Sequence, residues 1–239
     1  MTVRPAAGGG RWVEVDPERL TRWLDGFAAR HGALAVEPRS DHLRIQAADA
    51  TVAELYPPPG ADRGRDLGEF VAAATTERLL GLVLVRRGGA VVALAEGTRL
   101  VRSKVHTAYV QGRTAAGGWS QQRFARRRAN QARAAAEEVA EIAVRVLLPE
   151  VARLAAVVAG GDRGMIDLVL ADRRLAPVAA KLSARTVDVP NPRQAVVPSA
   201  LRQARAVRIR ILDAPPGPHD AGAASAGEDR DFPAPEAPV

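Results

Sequence analysis

Cysteine is absent from all 239 residues. That absence excludes disulfides, thiolate nucleophiles, iron-sulfur clusters and cysteine-built zinc sites together, and it fits a chain that works in a reducing compartment. Histidine is scarce: His31, His42, His106 and His219 are the four. No two of them stand at ligand spacing, so no metal centre is expected. No uncharged apolar run approaches the roughly 18 residues a membrane span needs. The longest greasy stretch, 142–158, is broken by Arg145, Pro149, Glu150 and Arg153. The start, MTVRPAAGGG, lacks the apolar segment of a signal peptide. A cytoplasmic protein without a cofactor and without membrane contact is expected. Also missing are a Walker loop, a GxSxG elbow and an HExxH helix. Gly160, Gly161 and Gly164 lack the Lys-Ser/Thr of a phosphate loop and read as a tight strand-to-helix turn. Asp16 and Asp162 stand at helix starts and read as caps rather than as acids or bases.

What is present is a globular composition, with 47% hydrophobic and 26% charged residues, and enough length for one large domain or two small ones. The placement of charge is more informative than its amount. From Gly97 to Ala136 there is no Asp or Glu, while Arg99, Arg102, Lys104, Arg113, Arg123, Arg126, Arg127, Arg128 and Arg133 all fall in that window. With 34 basic and 27 acidic residues in all, these nine exceed the whole surplus of seven. A solvated surface ordinarily mixes signs to limit self-repulsion, so an acid-free window points to a partner that carries phosphates, that is, to nucleic acid.

Asp16-Pro17 starts a helix that the spacing of Leu20, Trp23, Leu24, Phe27 and Ala28 carries to about residue 31, with Trp23 and Phe27 in the core. Leu43, Ile45 and Ala47 alternate between prolines and predict short strands. The polar run GADRGRDLG, 60–68, reads as a linker. From Leu79 the runs LLGLVLVRR, AVVALAEG and TRLVRSKVHTAYV, separated by turn residues, predict an antiparallel meander whose third strand alternates imperfectly. QGRTAAGG, 111–118, is a loop. Ser120 then starts a long helix with apolar positions at Phe124, Val139, Ile142, Ala143, Val146 and Leu147, ended by Pro149. Its first turns are basic, which opposes the helix dipole by some tenths of a kcal/mol per charge. Downstream, 154–159 reads as a buried strand, 165–170 as a helix, 187–189 as a strand, Pro198 and Ser199 as a helix start, and Val207, Ile209 and Ile211 as a last strand. The class is mixed α/β. The segment beyond Asp213 has almost nothing to bury and reads as a disordered tail.

The segment Gly117-Gly118-Trp119-Ser120-Gln121-Gln122-Arg123-Phe124-Ala125-Arg126-Arg127-Arg128 joins flexible glycines, neutral polar groups and a basic helix. It resembles the catalytic loop of eukaryotic and archaeal class I release factors, where a Gly-Gly-Gln tip precedes a helix containing Arg-Phe-Ala-Arg. It is most similar to the actinobacterial release-factor-like peptidyl-tRNA hydrolases of the VLRF type. Gly117 and Gly118 match the glycines, and Arg123, Phe124, Ala125 and Arg126 match the helix. Trp119 stands where a release factor has its glutamine, and the first glutamine here is Gln121. The resemblance covers about residues 78–212. It implies a release-factor middle-domain-like fold, with a central mixed sheet and a long helix after the loop. This catalytic domain would be preceded by a small α+β module over 1–70 and followed by a tail over 214–239.

The resemblance further implies a monomeric peptidyl-tRNA hydrolase whose partners are the large ribosomal subunit at its peptidyl-transferase centre, peptidyl-tRNA and rRNA. Gln121 would carry the catalytic role, with Gln122 as its rival and Gly117, Gly118 and Ser120 shaping the tip. Arg102, Lys104, Arg113, Arg123, Arg126, Arg127 and Arg128 would hold phosphates. Trp119 would either stack on a base or wedge the tip against the domain. The N-terminal 70 or so residues are short and lack stop-codon-reading motifs, so release independent of the codon is expected. A Gly-rich connection on a non-catalytic RNA-binding scaffold and a nuclease cutting near the tRNA 3′ end remain as alternatives. For the nuclease, His106 is the only candidate base in the acid-free window.

Overall fold

Alternation in the first seventy residues builds a polar-out sheet. β1 (Thr2–Pro5), β2 (Arg11–Val15), α1 (Leu20–His31), β3 (Leu34–Pro38), β4 (Leu43–Ala47), β5 (Val52–Tyr56) and α2 (Leu67–Thr75) follow in order. The computed structural model describes residues 2–86, 88–107 and 120–214. Val13, Val15, Leu43, Ile45, Ala47, Ala53 and Leu55 turn to one face of this sheet, where Leu20, Leu24 and Phe27 of α1 and Phe70 and Ala74 of α2 cover them. Phe27 is buried as the helical spacing predicts, and Trp23 is half-buried against the same core and stacked on it at 5.2 Å.

The expected linker at 60–68 is shorter in the structure, because α2 begins at Leu67 and Gly68 lies in its first turn. Asp66 caps that helix by accepting from the Glu69 N–H at 2.8 Å, while the Glu69 side chain accepts from the Arg65 N–H at 2.8 Å. Two otherwise orphaned donors are thereby satisfied. Asp66→Ala is expected to lower the unfolding free energy by about 1 kcal/mol, measured by urea titration of the full chain.

The second half reads differently. β6 (Leu79–Arg86), β7 (Gly89–Glu96) and β8 (Arg99–Thr107) form the antiparallel meander, and α3 (Ser120–Leu147), β9 (Ala156–Gly161), α4 (Arg163–Leu170), α5 (Ala176–Ala179), β10 (Leu182–Val187) and α6 (Val197–Arg205) follow. These strands make a mixed sheet in the order β10-β9-β6-β7-β8, with β9 parallel to both β6 and β10. β6 and β7 are near-continuous apolar runs because both their faces are covered. Val83, Val85, Val92 and Leu94 pack under α3 and α4, while Leu82, Leu84, Val91 and Ala93 pack against α6 on the other face.

Three local expectations are corrected. Gly160 and Gly161 are the end of β9, paired with Leu84 and Val85, rather than a turn. The backbone of Gly161 has φ of +106°, and a Cβ there would stand 2.1 Å from the Val85 carbonyl oxygen, so only glycine closes the strand against its neighbour. The strand expected at 187–189 is instead β10, Leu182–Val187, whose half-exposed edge hides its alternation. The last strand, β11 (Val207–Leu212), grouped by sequence with the 78–212 region, joins the first sheet. It lies between β2 and β5 in the antiparallel order β1-β2-β11-β5-β4-β3. The chain thus comes back to complete the sheet with which it began. The tail expected after Asp213 lies, from residue 215 on, outside the described residues. Among the described residues, no helix is long and apolar enough to cross a membrane.

Candidate nucleic-acid interface

β8 is an edge strand of the second sheet, and its register decides where its cations go. Arg102 faces Leu94, Lys104 faces Val92 and His106 faces Ala90 across the β7–β8 ladder. Directly opposed residues share a face, and Leu94, Val92 and Ala90 all pack beneath α3. Arg102 and Lys104 therefore stand on the α3 side of the sheet, exposed where the strand runs past the helix. The imperfect alternation seen in the sequence has a structural cause. The register slips between Leu94 and Ala95, so Val101 is an extra residue on β8, and both Leu100 and Val101 remain exposed. Such a bulge twists an edge strand and spoils it as a template for another chain.

α3 is 28 residues long, and among the side chains described the buried positions begin at Ala136. Arg126, Arg127 and Arg133 are exposed, and Ala132 and Ala135 are partly covered. Arg126, Arg127 and Arg133 consequently form a basic arm ahead of the buried part of the helix. His106 Nε2 lies 3.4 Å from Glu138 Oε2, which places the end of β8 beside the middle of α3. At 1.5 Å per residue, Arg126 and Arg127 lie about 17 Å nearer the helix start.

None of Arg102, Lys104, Arg126, Arg127 and Arg133 makes an ion pair with a carboxylate among the described residues, whereas arginines elsewhere commonly do. Arg4 holds Glu14 and Arg174 holds Glu141, each at 2.6 Å, and Arg163 holds Asp167 at 3.0 Å. Arg99, at the start of β8, is held by Glu96 at 2.7 Å, but these five cations of the window carry charge that no carboxylate among the described residues neutralises. Phosphates would neutralise it and would relieve the dipole conflict at the start of α3. His106 is largely buried against Glu138.

The remaining expected site residues fall elsewhere. Arg113, Gly117, Gly118 and Trp119 lie outside the described residues. Ser120, Gln121, Gln122, Arg123 and Arg128 belong to α3 by their backbone, but their side chains also lie outside what is described. Residues 108–119 connect the end of β8 to the start of the basic arm.

A family described as the Actinobacteria/chloroflexi VLRF1 release factor matches residues 78–210, a span that starts just before β6 and contains the 117–122 segment and all of α3. Among solved structures, an archaeal translation termination factor is similar with a TM-score of 0.40 and 15% identity, over 81% of this chain and 63% of that one. A second archaeal protein is similar with a TM-score of 0.34 and 18% identity, over 78% of this chain and 53% of that one. The chain thus spans less than two-thirds of either structure's length. No curated protein matches the chain.

Proposed function

The chain belongs to the VLRF1 release-factor family of Actinobacteria and Chloroflexi, and from that membership we propose that it is a codon-independent peptidyl-tRNA hydrolase freeing nascent chains from stalled ribosomal complexes. Release factors act on the ribosome, and the unneutralised arginine and lysine face of β8 and α3 is the observation that carries the reading to this chain. Residues 108–119 connect the two elements that bear that face, so the Gly117-Gly118 tip would be delivered to wherever the cations bind. Ribosomal RNA phosphates around the peptidyl-transferase centre are the partner this charge suits. The partners in this reading are the large subunit, rRNA and peptidyl-tRNA, met in the cytoplasm by a single copy of the chain.

The chemistry asks little of the side chains. Water attacks the carbonyl carbon of the ester joining the nascent chain to the tRNA sugar. The ester C–O bond then breaks, the sugar oxygen leaves with a proton, and the peptide departs with a new carboxylate. The ribosome already orients the ester, so the protein needs to admit and place one water and stabilise the oxyanion. The neutral amide of Gln121 can accept from the water and donate to the developing charge without any pKa tuning, with Gln122 as the rival for that role. Gly117 and Gly118 permit close backbone approach to RNA, and Ser120 opens the helix that aims the tip. Trp119 stacks on an exposed base, and Arg113, Arg123 and Arg128 add phosphate contacts beside Arg126 and Arg127.

The test is release of labelled peptide from purified large subunits carrying peptidyl-tRNA. Release of peptide with intact tRNA supports the reading. Tight binding without release would identify a non-catalytic module, and a shortened tRNA would identify a nuclease. Binding itself is separable from chemistry. Substituting Arg126 and Arg127 with Ala is expected to weaken binding to large subunits across RNA sequences. It should lower the slope of log affinity against log salt by about one for each phosphate that the protein no longer neutralises. An unchanged slope would show that these arginines do not meet phosphate.

A further inference from the structure

A cleft of about 470 Å3 opens between the two sheets, lined by none of the cations of the β8–α3 face but by four other arginines. Arg4 and Arg208 enter from the first sheet, Arg185 from β10 of the second and Arg163 from the start of α4, beside the carboxylates of Glu14 and Asp188. Glu14 is engaged, while Asp188 is exposed to solvent. Glu14 of β2 sits opposite Arg208 of β11 yet is held by Arg4 at 2.6 Å, and Asp188 lies 4.0 Å from Arg86.

The other guanidiniums keep donors to spare. Arg185 is half-buried and ties the end of α6 together, donating to the carbonyls of Ala204 and Ala206. Its burial, and next the positive charge of Arg208, draw its pKa down to about 10, with Glu14 opposing. Arg208 lies over the Trp12 ring at 4.6 Å, and its Nε is buried without a hydrogen-bond partner among the described residues. Arg163 commits its Nε to Asp167 at 3.0 Å, which leaves its terminal nitrogens available.

The position of the cleft points the same way. Gly160, Gly161, Thr186 and Val187 on its floor are the carboxyl ends of β9 and β10, which run parallel, with α4 starting beside them. In open α/β sheets the crevice outside the carboxyl ends of parallel strands is where ligands bind. We infer that this cleft is an oxyanion site that takes the phosphate of a nucleotide or of a nucleic-acid backbone, separate from the β8–α3 face. Guanidinium forks match phosphate oxygens in geometry as well as charge. A bound phosphate would offset the repulsion between Arg185 and Arg208. The volume leaves room for more than an isolated phosphate.

This inference does not depend on peptide release, and its test uses none. Full-length protein is titrated calorimetrically with inorganic phosphate, AMP and a 5′-phosphorylated single-stranded RNA hexamer. The protein carries Arg126→Ala and Arg127→Ala so that the other basic face is weakened. The expected result is binding of at least one probe, weakened about tenfold by Arg163→Gln and by Arg208→Gln, as removal of one charge-assisted hydrogen bond requires. Equal affinity for AMP and the hexamer would name a single nucleotide phosphate as the source, and a much tighter hexamer would name the backbone. Arg163 is exposed on the first turn of α4, so its substitution leaves folding intact and decides the question if Arg208→Gln does not fold. No heat with any probe at millimolar concentration, or binding unchanged by Arg163→Gln, would overturn the site.

Discussion

Gln121→Ala is expected to lower peptide release from large-subunit complexes by about 10²–10³-fold, the cost of removing one preorganised donor from an oxyanion site. Gln122→Ala in the same assay is expected to change the rate far less. Both residues lie in the first turn of α3, about fourteen residues ahead of Ala136, the first buried position among the described side chains. Neither substitution should therefore disturb folding, and both should leave salt-dependent binding to the subunit intact. The loss belongs in the rate of the bound complex rather than in its affinity, because an interaction made only in the transition state moves kcat and not KM. Single-turnover release at saturating protein separates the two. If Gln122→Ala carried the loss and Gln121→Ala did not, the assignment would exchange. If both variants released peptide at the wild-type rate, the glutamine mechanism would fall.

Ile209→Ala is expected to destabilise the protein by about 2–5 kcal/mol, the range for truncating a fully buried aliphatic side chain. For a chain of this size that is a fall in Tm of roughly 5–15 °C. Ile209 is fully buried, facing Val13 on one side and Leu55 on the other, at the centre of the first sheet. Hydrogen exchange makes the prediction specific to topology. Weaker packing of β11 should speed exchange first at the amides of β2 and β5, which it bridges, while β6 and β7 stay protected. Faster exchange at β6 and β7 instead would mean that the strand stabilises the second sheet. The same geometry implies that a chain ending at residue 205 leaves β2 and β5 without the strand between them. It should therefore lose its first sheet and its solubility together.

The local elements were legible because their patterns are local. Spacing of Leu20, Leu24 and Phe27 sufficed for α1, three apolar runs with turn residues between them for the meander, and Val139, Ile142, Ala143 and Val146 before Pro149 for the buried half of α3. The confinement of charge to 97–136 is likewise a property of sequence alone, as is the loop segment that carries the family resemblance. Weakly patterned elements were not legible: β1 and β2 are short and separated by a run of glycines, and α2 starts inside a polar run, with Gly68 in its first turn.

Only the tertiary structure decided who pairs with whom. Alternation in Val207, Ile209 and Ile211 shows that one face of that strand is buried, but it does not say in which of two sheets, and the answer lies some 150 to 200 residues away at β5 and β2. The same holds for the extra residue at Val101, visible only against β7, and for Gly160 and Gly161, which continue a strand because Leu84 and Val85 are there to receive them. The cationic cleft is the extreme case, since Arg4, Arg163, Arg185 and Arg208 share no motif or spacing. Hydrophobic periodicity records that a surface is covered. What covers it, and which charges meet across the remaining gap, is set by long-range packing.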